Sequence, residues 1–249
     1  MKISSFNWLF ILSVLVLLLS SCSKKRNALI DNGIKGKVTS FTDTIWSVSE
    51  KFGEVVKDEI NNVIKCDVDE NGNITAYTIY DSDGDIARKI VQTFKGTQFD
   101  EIRTYDRSGD EESYNKYFYS KDNPERIDSI KVVSYGSKST AFFEYLDDND
   151  SYKYFTIDED GEKSGVGYQY FDKEKRLIED KSPYATTKYT YDDNGLCISS
   201  KQTSEYGGDE EREYEYGFDK KGSMIKRITY VTSGNRKAVE MLTRHIEYK

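Results

Sequence analysis

One short element recurs along the chain and restricts every fold open to it: an apolar or aromatic residue, then Asp, two polar residues and Gly. It reads Val68-Asp69-Glu70-Asn71-Gly72, Tyr80-Asp81-Ser82-Asp83-Gly84, Tyr105-Asp106-Arg107-Ser108-Gly109, Ile157-Asp158-Glu159-Asp160-Gly161, Tyr191-Asp192-Asp193-Asn194-Gly195 and Phe218-Asp219-Lys220-Lys221-Gly222. An Asp at the first turn position accepts hydrogen bonds from the N–H groups that follow it. A Gly three residues later takes φ > 0 with no Cβ penalty. Each copy therefore predicts a reversal between two strands, built on a type I turn with a left-handed glycine. Degenerate copies without the glycine fall at Phe171-Asp172-Lys173-Glu174 and Leu146-Asp147-Asp148-Asn149.

Between the turns the residues alternate with period two. Arg212, Tyr214, Tyr216 and Phe218 share one face and Glu213, Glu215 and Gly217 the other, while Thr187, Tyr189 and Tyr191 alternate with Lys188 and Thr190. Such segments are half-buried strands. The same reading draws strands over 37–48, 54–67, 74–80, 87–94, 99–105, 111–119, 127–134, 140–146, 151–157, 164–171, 176–181, 196–204, 223–231 and 237–248. Lys51-Phe52-Gly53 reads as a turn, and no segment carries a helical stripe. Short connections make sequential strands antiparallel neighbours. The expected fold class is thus all-β: a long antiparallel meander of repeated hairpins, forming one repeat domain that curls or packs in layers. Nothing in the hairpin pattern joins the two ends, so the sheet is expected to stay open. Cys66 and Cys197, 131 residues apart, then lie too far apart to bond and serve as small apolar residues on inner strand faces.

Tyr80-Asp81, Tyr105-Asp106 and Tyr191-Asp192, each with Gly three positions after the Asp, resemble the YD repeats of the Rhs family. The resemblance runs over most of residues 60 to 230 and implies an extended β architecture that winds into shells or ribbons. It implies no activity.

The N-terminus has a separate role. Trp8 to Leu19 is an apolar run broken only by Ser13 and preceded by Lys2. It is shorter than the roughly 20 residues that span a bilayer and suits the core of a secretory signal. It ends Leu19-Ser20-Ser21-Cys22, which resembles the lipobox of bacterial lipoproteins. The resemblance implies cleavage before Cys22 and acylation of its thiol and new amine, palmitate being the expected acyl group. At roughly 0.8 kcal/mol per buried methylene, two or three chains anchor a protein stably. The expected organisation is a signal peptide at 1–21, a tether at 22–34 and a YD-repeat-like antiparallel β domain at 35–249.

Composition removes some functions. With Lys2 gone the mature chain has 35 basic against 44 acidic residues, a net charge of −9, which phosphate backbones repel; nucleic acid is not an expected partner. The single histidine, His245, has no flanking motif of nucleophilic catalysis and reads as a plain strand residue. Asp67-Val68-Asp69-Glu70-Asn71-Gly72-Asn73 matches the start of a calcium-binding EF-hand loop, but the closing position is Thr78 rather than Glu. No metal and no cofactor is expected. Tyrosines recur two apart at Tyr117 and Tyr119, Tyr152 and Tyr154, Tyr168 and Tyr170, Tyr189 and Tyr191, and Tyr214 and Tyr216. Each pair shares a face, to stiffen the sheet as cross-strand aromatics or to form a binding platform.

These residues lead to three functional readings. The first is a non-catalytic lipoprotein of the outer membrane, on its periplasmic or surface face, acting as an interaction or scaffold module. The others are a carbohydrate-binding module of a glycan-uptake system and a hydrolase using acidic residues. The expected partners are the membrane, through the lipid on Cys22, and a glycan or protein. The anchor is testable: Cys22→Ser should move the protein from the membrane fraction of the envelope to the soluble one, and a variant that stays with the membrane would refute the lipobox assignment.

Overall fold

The computed structural model describes residues 28–96, 98–146 and 150–249. Cys22, the signal segment and the degenerate turn at Asp147-Asp148-Asn149 lie outside the described residues. One helical turn, α1 (Ala28–Asp31), precedes sixteen strands: β1 (Val38–Lys51), β2 (Glu54–Val68), β3 (Ile74–Tyr80), β4 (Ile86–Lys95), β5 (Gln98–Tyr105), β6 (Glu111–Tyr119), β7 (Ile127–Ser134), β8 (Ser137–Tyr145), β9 (Tyr152–Asp158), β10 (Lys163–Phe171), β11 (Leu177–Lys181), β12 (Ala185–Tyr191), β13 (Cys197–Ser204), β14 (Glu210–Phe218), β15 (Met224–Val231) and β16 (Lys237–Tyr248).

The hairpins are built as their composition requires. In all six Asp-x-x-Gly copies the glycine N–H donates to the carbonyl of the Asp at 3.0–3.2 Å, with φ between 77° and 87°. At Asp192 the carboxylate Oδ1 also accepts the N–H groups of Asn194 at 3.0 Å and Leu196 at 2.8 Å. Next to five of the copies the ladder shifts register, between Asp67 and Val68, Ile79 and Tyr80, Thr104 and Tyr105, Thr190 and Tyr191, and Gly217 and Phe218. These bulges increase the local twist. The degenerate copy at Asp172 makes the same turn with Lys175 at φ 62°, where its ammonium reaches Asp150 Oδ2 at 2.8 Å.

The sheet is one closed antiparallel barrel in which β1 pairs with β16. This corrects the expectation of an open, curled or layered meander. The seam runs from Val38 opposite Tyr248 to Trp46 opposite Met241, and closing it removes both exposed edges. Its interior contact is ionic: Asp43 and Arg244 face each other in register, with Nε to Oδ1 at 2.6 Å and Nη2 to Oδ2 at 2.7 Å. Arg244 also donates to the Asn32 carbonyl at 2.6 Å, so the pair ties β1, β16 and the end of α1 together. Closure involves no disulfide, since Cys66 and Cys197 are both free.

Alternation then assigns the two faces. The inner face is apolar, with Ile90, Phe99, Ile102, Tyr117, Ile127, Ile130 and Ala141 forming one cluster and Tyr152, Phe171 and Leu177 another. The outer face is charged at mid-strand: Glu101 lies opposite Lys116, Lys116 opposite Lys131, Glu144 opposite Lys153, Glu179 opposite Lys188 and Lys201 opposite Glu211. A lysine or arginine on a lipid-facing barrel wall costs roughly 2–4 kcal/mol at the bilayer midplane. Burying a wall with such a belt in a bilayer would carry that cost at several positions.

One apolar cluster lies outside. Ile228, Tyr230, Ala238 and Met241 are buried beneath Trp46, Val48 and Val55. Register shifts on either side of Trp46 let the tip of the β1–β2 hairpin lean over β15 and β16, where Glu50 accepts the Ala238 N–H at 2.9 Å.

The start of the described chain is not a tether throughout. Leu29 and Ile34 are 4% and 3% exposed and pack with Val38, Phe41, Cys66 and Ile74. Gly33 fits there because a Cβ would lie 3.1 Å from both Leu196 and Met224. Apolar side chains at 29 and 34 thus turn residues 28–34 into a plug at the end of the barrel shared by the start of β1, the end of β16 and the turns at Asp69, Asp172, Asp192 and Asp219.

Replacing Arg244 by Met should destabilise the barrel by about 3–5 kcal/mol, because it leaves the Asp43 carboxylate buried without a counterion. Urea denaturation measures this, and the double variant Asp43→Leu/Arg244→Met should recover most of the loss.

Candidate functional site

The remaining lumen contains a cavity of about 430 Å3 beneath the plug, within the range of small-ligand sites. Phe41, Ile64, Tyr77, Ile79 and Ile90 line one side, and Leu177, Tyr191, Leu196, Tyr216, Met224 and Leu242 the other. The lining is drawn from both halves of the sequence, and only closure of the barrel brings those halves together.

The charges in this wall are Asp43, Arg176, Arg227 and Arg244. Asp43 and Arg244 satisfy one another. Arg176 is held by Asp172, Nε to Oδ2 at 2.6 Å. Arg227 is different: one terminal nitrogen lies 3.3 Å from Glu240 Oε1, while its Nε is buried and donates to no acceptor among the described residues. About a third of the Arg227 and Glu240 side chains stays exposed, 33% and 35%, although both face inward. Gln202, on the same inner face of β13, is exposed as well. The lumen therefore opens at the end opposite the plug, through a polar collar.

Both cysteines line this cavity. Burial drives the Cys66 thiol far above its ordinary range, and the nearby Asp43 carboxylate adds to the effect. Burial pushes Cys197 up to about 11, against hydrogen bonds from the Ser199 and Thr190 backbone. Deeper toward the open end, Gln169 is 2% exposed. It accepts from the Tyr152 hydroxyl and donates to Asp180 Oδ2 at 3.0 Å. Burial raises the Asp180 carboxyl above its usual range while Gln169 opposes the shift.

The residues singled out in the sequence separate into groups. Four of the five tyrosine pairs point inward: Tyr117 and Tyr119 are in or against the first core cluster, Tyr152 and Tyr154 in or against another, and Tyr191 and Tyr216 line the cavity with their partners Tyr189 and Tyr214 on the same face. Tyr168 and Tyr170 alone point outward, with rings 6.4 Å apart and 10° from parallel. His245 is exposed on the outer face opposite Thr42. Asp69 uses its carboxylate on its own turn, accepting Asn71 N–H at 2.9 Å, Asn73 N–H at 2.8 Å and Asn73 Nδ2 at 3.0 Å. Burial opposes them, yet these bonds hold its carboxyl below the usual range. Arg227, Arg244 and Asn32 carried no motif. The signal that marks Arg244 is an Arg at an inward strand position, readable only once the inward face is known.

A scan of protein-family models finds no match to this chain, and a search of curated proteins finds none. Among solved structures the chain is similar to a porin-like protein from Bacteroides uniformis, with 13% identity and a TM-score of 0.54 over 84% of this chain and 96% of that one. It is also similar to a porin-like protein from Bacteroides vulgatus, with 14% identity and a TM-score of 0.50 over 86% of this chain and 99% of that one. At such identities the likeness is one of fold: an all-β, closed barrel.

Since the thiolate is the reacting form, a Cys197 titrating near 11 should alkylate slowly in native protein at neutral pH, with a rate that climbs with pH toward that value. Mass spectrometry of iodoacetamide adducts reads this. Denaturation should expose both thiols to rapid labelling, and fast labelling of native Cys197 at neutral pH would contradict its burial.

Proposed function

We propose that this chain is a non-catalytic binding lipoprotein of the bacterial outer membrane, held by lipid on Cys22, whose barrel stands in water and takes a small, mainly apolar ligand into its lumen. The observation that carries the reading is the 430 Å3 cavity, apolar at its plugged end and polar at its open one. A monomer that only displayed an outer surface would gain from filling this space, since each buried methylene contributes about 0.8 kcal/mol. The charged outer wall supports a barrel outside the bilayer. The signal and lipobox at Leu19-Ser20-Ser21-Cys22 support an anchor at the plugged end, so the open mouth faces away from the membrane.

The glycan reading keeps one support, the outward stack of Tyr168 and Tyr170, a flat aromatic face of the kind sugars pack on. Two rings 6.4 Å apart offer far less area than the lumen, and the lumenal reading is preferred.

The test uses the uncharged fluorophore N-phenylnaphthylamine with full-length protein carrying Cys22→Ser. Fluorescence should rise saturably with one dye per chain. Ile79→Trp, which fills the cavity from β3 at a stability cost of about 1–3 kcal/mol, should abolish the rise while the protein still melts cooperatively. No saturable binding, or binding unaffected by Ile79→Trp, would overturn the lumenal site.

A further inference from the structure

We propose that the lumenal ligand is an amphiphile with an acidic head group, a carboxylate or phosphate read by Arg227, and an apolar tail lying against Ile64, Ile79 and Leu242. The proposal rests on the lumenal reading above and adds the chemistry of its occupant.

Charge makes the first argument. The chain carries a net −8, yet the charged groups lining the cavity are three arginines and one aspartate. Asp43 is neutralised by Arg244 at 2.6 Å and Arg176 by Asp172 at 2.6 Å. Arg227 has one ion pair, to Glu240 at 3.3 Å, long for a charge-assisted bond. Each lining arginine thus has a carboxylate partner, and Arg227, whose pair is the longest of the three at 3.3 Å, is the one placed to take up a ligand anion.

Hydrogen bonding makes the second. A buried donor with no acceptor costs on the order of 1–3 kcal/mol, and Arg227 Nε is such a donor among the described residues. A carboxylate or phosphate bound through two oxygens matches the planar fork of a guanidinium and would satisfy Nε together with a terminal nitrogen. The Tyr214 ring centroid lies 5.7 Å from the guanidinium carbon and the Tyr214 hydroxyl is 3.0 Å from Ser200 Oγ, so the head-group region is polar.

The third is the order along the barrel axis. Arg227 stands between the apolar pocket beneath α1 and the open collar with Glu240 and Gln202. An amphiphile entering tail first through the mouth would seat its tail against the plug and leave its head at Arg227.

Decanoate and decanol, which share a tail and differ in head group, separate the claims when each displaces N-phenylnaphthylamine from the Cys22→Ser protein at neutral pH. Arg227→Met should weaken displacement by decanoate about tenfold and leave decanol within about twofold. Arg227→Gln, which keeps N–H donors without charge, should weaken decanoate likewise, and Arg227→Lys should retain most of the affinity. Equal losses for both ligands, or an unchanged decanoate affinity in the Met and Gln variants, would overturn the head-group assignment and leave the lumenal site standing. If neither ligand displaces bound dye from the parent protein, the tail assignment falls. If the dye itself fails to bind, the lumenal reading falls and this proposal with it.

Discussion

The seam between the first and last strands governs the rest of the molecule. Every other strand pair is local, made across a turn of a few residues, and each would form in an open meander as readily as in a barrel. Only β1 with β16 joins residues about two hundred positions apart, and the loop-closure entropy of that contact must be met by what it buries. The bidentate contact of Arg244 with Asp43, reinforced by the Asn32 carbonyl, gives it direction. Burial beside Phe41 and Ile246 gives it area. A buried ion pair adds little net stability compared with apolar residues, but its geometry selects one register.

Closure also creates the cavity. Phe41 and Ile64 come from the beginning of the sheet, Tyr216 and Leu242 from its end, and in an open sheet these faces would not meet. Sixteen strands can enclose a water-filled channel. Here inward tyrosines and phenylalanines fill much of the lumen and residues 28–34 plug one end, so the space that remains is of ligand size. The charges of its wall are paired, Arg244 with Asp43, Arg176 with Asp172 and Arg227 with Glu240.

Much of the fold was legible in the sequence because its grammar is local. The Asp-x-x-Gly pentads located hairpins through backbone chemistry that does not depend on tertiary context, and the strands drawn between them coincide with the sixteen observed to within a few residues. Closure was not legible: nothing local to Val38–Trp46 announces that it pairs with Met241–Tyr248. The expectation that an open sheet and unbonded cysteines go together failed for a related reason, since Cys66 and Cys197 line one cavity as free thiols. The plug was missed because seven residues with only Leu29, Ile30 and Ile34 as large apolar groups carry no periodicity, and the role of Arg227 depends on which face is inside.

The position of β16 has a consequence for how such a chain comes into being. Of the sixteen strands, β16 is the last to emerge from any machine that feeds the polypeptide out N-terminus first, so fifteen strands must wait with two unpaired edges until Lys237–Tyr248 arrives. During that interval β1 and β15 are templates for a neighbouring chain as much as for β16. A premature stop upstream of Lys237 would make that exposure permanent, turning a self-contained barrel into a chain with two adhesive borders.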